Sequence, residues 1–181
     1  ADVSRSYAVG YQTWSAPFST LIEAPVQYGA GANLNGCAPF APNALSGKII
    51  LLDRNACQVS LKLKNISEGG ALAGLIGATT SGDTGSNDGG HRPITVPGFV
   101  ITLADANLIK QAIATGIQVR FDPAQNIALV GHMAPSSSRG PSLGDNRIKP
   151  DIGAPGALIS ALAGSGTQTS VFGGTSGAAP M

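Results

Sequence analysis

Gly47-Lys48-Ile49-Ile50-Leu51-Leu52-Asp53 is an unbroken apolar run opened by glycine and closed by aspartate. Consecutive large aliphatic side chains leave an extended chain with no polar face, so the run predicts a buried strand covered on both sides. Two further segments have the same character: Ala71 to Ala78, and Val96-Pro97-Gly98-Phe99-Val100-Ile101-Thr102, the latter entered through Pro97 and Gly98. Helical spacing separates and follows them. In residues 58–68, Val59, Leu63 and Ile66 recur at intervals of four and three, with Lys62, Lys64 and Glu68 between them. That spacing builds one apolar helical face, and Gly69-Gly70 ends it. Leu108, Ile109, Ala112 and Ile113 mark a second helix, with Thr102 or Asp105 available as N-cap and Gly116 as the residue past its end. These helices are the cover available to the apolar strands.

Further out, Leu21-Ile22-Glu23-Ala24-Pro25-Val26 predicts a short strand. Ile117-Gln118-Val119-Arg120-Phe121 alternates as a strand with one wet face does, and Ile127 to Gly131 completes the set. Residues 29–46, rich in Gly, Asn, Pro and Ala, and residues 80–90, polar and Gly-rich, predict loops. Beyond His132 the composition turns to Pro, Ser, Gly and Asp, which places a boundary near 133. The expected organisation is a linker over 1–19, a domain over 20–133 and a second part over 134–181. A doubly wound α/β domain shares this strand and helix pattern, but no Gly-rich phosphate loop follows any strand, so a nucleotide site finds no support.

With 43% hydrophobic residues, 12% charged residues, 25 Gly and 12 Pro in 181 residues, the composition suits a turn-rich, mainly β protein. The net charge is +1 without a Lys or Arg cluster, which argues against nucleic acid or an anionic membrane as partner. No apolar stretch approaches the roughly 20 residues of a membrane span. Residues 1–5 carry no signal-peptide pattern, so the export signal of a secreted parent is expected outside this chain. Cys37 and Cys57 permit one disulfide, with two buried free thiols as the alternative. Their spacing is not Cys-x-x-Cys and no Cys/His cluster accompanies them, so zinc is not expected. The loop from Ser81 to Gly89 lacks a calcium-loop pattern and reads as surface. No metal or cofactor is expected.

Three pieces in order resemble the protease-associated domain: Gly47 to Arg54, then Cys57 leading through the helix to Gly70 and on to Ala71-Leu72-Ala73-Gly74-Leu75-Ile76, then Val96 to Thr102 with its following helix. The resemblance spans about residues 47 to 121. It implies an α+β, mainly β fold, a small β-barrel or sandwich flanked by helices. It also implies a non-catalytic role in substrate access or protein contacts, and it favours pairing Cys37 with Cys57.

The tail carries a second resemblance. Ser136-Ser137-Ser138-Arg139-Gly140-Pro141-Ser142, then Lys149-Pro150-Asp151-Ile152-Gly153-Ala154-Pro155-Gly156, then Gly173-Gly174-Thr175-Ser176-Gly177-Ala178-Ala179-Pro180-Met181 resemble the end of a subtilisin-like (subtilase) catalytic domain. By that resemblance Ser176 is the nucleophile, its backbone N–H is an oxyanion donor, and Gly174 and Thr175 lie at the substrate. The residue types suit the task. A nucleophilic serine needs an exposed hydroxyl beside preorganised donors, and the first N–H groups of a helix supply such donors. Pro180 fits only a first helical turn, which puts the helix start near Ser176. The Gly-x-Ser-x-Gly elbow of α/β-hydrolases is excluded by Ala178.

In the subtilisin order, Asp and His precede the serine. His91 sits in Gly89-Gly90-His91-Arg92-Pro93 and His132 in Gly131-His132-Met133, and neither has the family's His-Gly-Thr context; both read as surface or structural. Asp83-Thr84-Gly85 falls inside the first module, and the second oxyanion donor, an Asn, belongs upstream of residue 1. The expectation is part of a secreted serine endopeptidase that carries the nucleophile without its base and is inactive alone. Its partners would be a protein or peptide substrate and the upstream catalytic region of the same parent. Order in residues 134–181 would come from docking on the first module or from a second copy. The alternative is a stand-alone protein-interaction module. A metallopeptidase-associated domain is disfavoured because the tail has no metal-ligand spacing.

Overall fold

A computed structural model describes residues 6–80, 90–125, 137, 140–155, 157–161, 163–173 and 178–180. The chain divides into two compact units, residues 1–128 and 129–181.

In the first unit the elements run β1 (Gly10–Tyr11), β2 (Ile22–Tyr28), β3 (Ile49–Asp53), α1 (Val59–Glu68), β4 (Ala73–Gly77), β5 (Gly98–Ile101), α2 (Leu103–Ala112) and β6 (Gln118–Phe121). The strands form one sheet in the order β1-β5-β4-β3-β2-β6. The four inner strands β2 to β5 are parallel. Each edge strand, β1 on β5 and β6 on β2, is antiparallel. Pro25 sits in β2 where only β6 is paired: residues 22–25 pair with β6, and pairing with β3 begins at Val26. The missing N–H of proline therefore removes no ladder bond toward β3.

The apolar run at the centre behaves as its composition requires. Ile49 and Leu51 join Leu75, Phe99 and Ile101 on one face, against Ala106 and Ile109 of α2. Ile50 and Leu52 join Ile76 and Val100 on the other, against Val59, Leu63 and Ile66 of α1 and Leu45 of the preceding loop. Each helix thus covers one face. Thr102 caps α2: its hydroxyl accepts from the Asp105 N–H at 3.2 Å and donates to the Asp105 carboxylate at 2.7 Å. Gly116, at φ 75°, closes a short 3-10 turn over Ile113–Thr115 rather than α2 itself.

The sheet is a half-barrel of mixed strands, neither a sandwich nor a closed barrel. Phe99 of β5 and Phe121 of β6 stack with ring centroids 4.0 Å apart and planes 11° from parallel. Their strands are four places apart, about 19 Å in a flat sheet at the usual strand spacing, so the sheet must curl to bring them together. Phe18 meets both rings edge-on, at 5.1 Å and 6.4 Å, and Tyr11 lies 5.6 Å from Phe99. Residues 10–18 are therefore built into this unit rather than serving as a linker into it. An apolar residue at an edge is held here because the curled sheet offers it a buried aromatic neighbour.

The helix α1 lies unusually close to the sheet. A Cβ on Gly74 or on Gly98 would stand 2.4 Å from a methyl of Leu63, so Leu63 keys into a slot that only two glycines leave open. The strand expected over Ile127 to Gly131 lies outside the described residues. In the second unit, β7 (Ala157–Ala161) and β8 (Thr169–Gly173) form an antiparallel hairpin. Ahead of it, Leu143, Ile148 and Ile152 are almost fully exposed.

Gly98→Ala should destabilise the first unit by about 1–3 kcal/mol through overpacking against Leu63. In a Leu63→Ala background the same change should cost much less. Denaturant unfolding of the four proteins as a double-mutant cycle reads the coupling; strict additivity would show that Leu63 is not what excludes a side chain at 98.

Candidate functional site

Ser176, Gly174 and Thr175 lie outside the described residues, as do His132 and Asp83. His91 is described: its Nε2 is 2.9 Å from Gln58 Oε1, and its backbone N–H donates to Ser60 Oγ at 3.4 Å. Both partners belong to the start of α1, within the first unit.

The polar structure that the fold assembles lies at the C-terminal ends of β2 and β3, where an open parallel sheet presents its loops. Asp53, the last residue of β3, accepts from the Tyr28 hydroxyl at 2.5 Å and from Lys110 Nζ of α2 at 2.5 Å. The Lys110 ammonium also lies 4.6 Å from the centre of the Tyr28 ring, within cation–π range. Burial, then the hydrogen bond to Asp53, raises the Tyr28 pKa, so the phenol keeps the proton that it donates. Burial alone would lower the Lys110 pKa, but the hydrogen bond and charge of Asp53, with Tyr28, raise it. The three side chains hold the ends of two strands and a helix together.

Beside them, the loops around residues 35–37 and 55–57 are fastened twice. Cys37 and Cys57 form a disulfide, and behind it stands Lys62. The Lys62 ammonium donates to the carbonyls of Asn35 at 2.5 Å and Asn55 at 2.7 Å, and lies 3.4 Å from Cys37 Sγ. An ammonium has three donors, and all three are directed at these atoms. One turn along α1, Asn65 Nδ2 donates to the Gly36 carbonyl at 2.8 Å. Within the second of these loops Ala56 adopts a left-handed conformation at φ 72°, a strained geometry for a residue with a side chain. A shallow, open cleft lined by Arg54, Ala56, Cys57, Gln58 and Val59 borders the disulfide.

Lys62 is fully buried, whereas the spacing placed it among the charged residues between the apolar positions of α1. Sequence carries no sign that one of three charged side chains in this helix points inward. Burial lowers its pKa to about 8, opposed by the charge of Asp53. Among the described residues no group of three or more His, Cys, Asp or Glu side chains could hold a metal ion, and no helix is long and apolar enough to cross a membrane. The described groups satisfy one another, an arrangement suited to holding a loop face in fixed shape.

The PA domain family model matches residues 22–109. This segment is a PA domain. The chain is also similar to the minor extracellular protease Vpr of Bacillus subtilis (strain 168), at 30% identity over 129 residues, which is 71% of this chain and 16% of that protein. The chain thus spans a small part of the relative's length. Among solved structures, it is similar to BSAP, a zinc aminopeptidase from Bacillus subtilis, with a TM-score of 0.49 and 20% identity over 61% of this chain and 27% of that one. It is also similar to an aminopeptidase from Aneurinibacillus sp. strain AM-1, with a TM-score of 0.41 and 19% identity over 62% of this chain and 31% of that one. The segment matched here contains both cysteines, Lys62, Tyr28 and Asp53, and Lys110 follows its last residue directly.

Lys62→Met leaves the carbonyls of Asn35 and Asn55 without their donor and should cost the PA domain about 1–3 kcal/mol at pH 7. The sign of the pH dependence follows from the lowered pKa. Between about 8 and the ordinary 10.5, the unfolded chain binds the Lys62 proton more tightly than the folded one, so this lysine's contribution to stability rises with pH across that window. Urea unfolding of wild type and Lys62→Met from pH 7 to 10.5 should show the difference widening; a flat or narrowing difference contradicts the buried amine.

Proposed function

We propose that this chain is part of a secreted subtilisin-like serine endopeptidase. The PA domain is its non-catalytic module, acting on substrate access or on contacts with other proteins, and Ser176 is its nucleophile. The single observation that carries the proposal is the extent of the protease similarity. The match to the extracellular protease runs over 129 residues, longer than the segment of residues 22–109 that the PA family model matches, so the likeness to a protease extends past that segment. The tail adds support. The hairpin register pairs Ala157 with Gly173, so the motif ending at Gly156 and the motif opening at Gly173 leave from the same end of one hairpin.

In the proposed reaction the Ser176 hydroxyl attacks the scissile carbonyl and forms an acyl-enzyme that water then hydrolyses. The Ser176 N–H donates to the developing oxyanion, aided by the dipole of the helix it opens. The imidazole that takes the hydroxyl proton, and the carboxylate that orients it, come from the preceding catalytic part of the parent. Secretion agrees with the disulfide, which persists in oxidising compartments, and with an extracellular relative.

A fluorophosphonate probe tests both halves of the proposal. The parent containing the Asp and His motifs should be labelled at Ser176, and Ser176→Ala should abolish labelling and lower kcat by about 10^6-fold. The chain of residues 1–181 alone should remain unlabelled and without peptidase activity. Labelling of Ser176 in the isolated chain would show that a base is present within it, and a parent that stays active as Ser176→Ala would remove the nucleophile assignment.

A further inference from the structure

We propose that the Cys37–Cys57 disulfide is a thiol-exchange site: Cys57 takes an incoming low-molecular-weight thiol, and Cys37 leaves as a thiolate held by Lys62. The geometry distinguishes the two sulfurs. Both cysteines are half-buried, but Cys57 lines the open cleft together with Arg54 and the first residues of α1. Cys37 Sγ instead has the Lys62 ammonium 3.4 Å away. Lys62 is fully buried and fixed by the carbonyls of Asn35 and Asn55, so its charge cannot swing away into water.

In the exchange, an external thiolate attacks Cys57 Sγ along the S–S axis. The new S–S bond forms at Cys57, the old one breaks, and its electron pair goes to Cys37 Sγ. A second equivalent of the thiol attacks the mixed disulfide, releasing the Cys57 thiolate and the oxidised reagent. The reductant is thus the thiol itself, and two thiols supply the two electrons.

Exchange is faster and reduction more favourable when the leaving sulfur is a stabilised thiolate. A fixed ammonium at contact distance supplies that stabilisation to Cys37. Asp53, whose charge acts on Lys62 through space, is already engaged by Tyr28 and Lys110. Arg54 beside Cys57 favours an anionic thiol, and the start of α1 has no acidic residue in its first turn to repel one. Reduction would free the loop around Asn35–Cys37 from its covalent tie while leaving its hydrogen bonds to Lys62 and Asn65.

The test uses the full chain with glutathione. Mass spectrometry of acid-quenched samples should find the first mixed disulfide on Cys57, and Lys62→Met should slow reduction by on the order of tenfold. Mere loosening of the loops by that substitution would speed reduction instead, so the direction separates the two effects. As a second measurement, Cys57→Ser leaves Cys37 as the single thiol, and its alkylation rate against pH should give a pKa well below the usual value of about 8.5. A first adduct on Cys37, unchanged or faster reduction in Lys62→Met, or an ordinary or raised pKa for Cys37 would each overturn the proposal.

Discussion

Ile49, Ile50, Leu51 and Leu52 have no face that they can show to water. Four consecutive aliphatic residues, each fully buried, force the strand into the middle of a three-layer arrangement, since alternate side chains point to opposite sides. Most of the PA domain follows from that constraint. It needs one helix above and one below; α1 answers the even-numbered residues and α2 the odd-numbered ones. It needs apolar neighbours in the sheet, which β4 and β5 provide. It also needs backbone approaches close enough to exclude voids, which Gly74 and Gly98 permit by leaving the slot for Leu63.

Placing α1 against the sheet has a second effect. The helix carries Lys62 and Asn65 underneath the loops that follow β2 and β3, and there its polar side chains do for the loops what Leu63 does for the sheet. A buried ammonium is costly unless its donors are used. Here two carbonyls and a sulfur take them, so the loop conformation and the protonation of the lysine depend on each other. The disulfide, the ammonium and the Asn65 amide fasten the same short stretch of chain from three directions, while Tyr28, Asp53 and Lys110 fasten the neighbouring strand ends.

Local physics made much of this visible in the amino-acid sequence. The apolar runs and the helical spacings located β3 to β5 and both helices to within a residue or two, except for the start of α2, because burial and capping act at short range. Thr102 was recognisable as a cap for the same reason. What stayed hidden depends on contacts between distant residues. The curl of the sheet rests on Phe99 meeting Phe121, and alternation in β6 says only that Phe121 is buried, not against what. Residues 10–18 looked like a linker because the rings that hold Tyr11 and Phe18 in place, Phe99 and Phe121, lie far away in the sequence. Lys62 resembled its solvated neighbours because composition does not distinguish an inward lysine from an outward one. The chemistry expected at Ser176 rests on motif order alone, since residues 174–177 lie outside the described structure.

The aromatic cluster has a topological consequence. Tyr11 and Phe18, where the polypeptide enters the PA domain, lie within ring-contact distance of one another and of Phe99, and Phe18 touches Phe121, where it leaves. Entrance and exit are therefore neighbours rather than opposite poles. A body built this way can be spliced into a surface turn of a host protein without prying the host's own strands apart, hanging from a single point of attachment like a bulb in its socket.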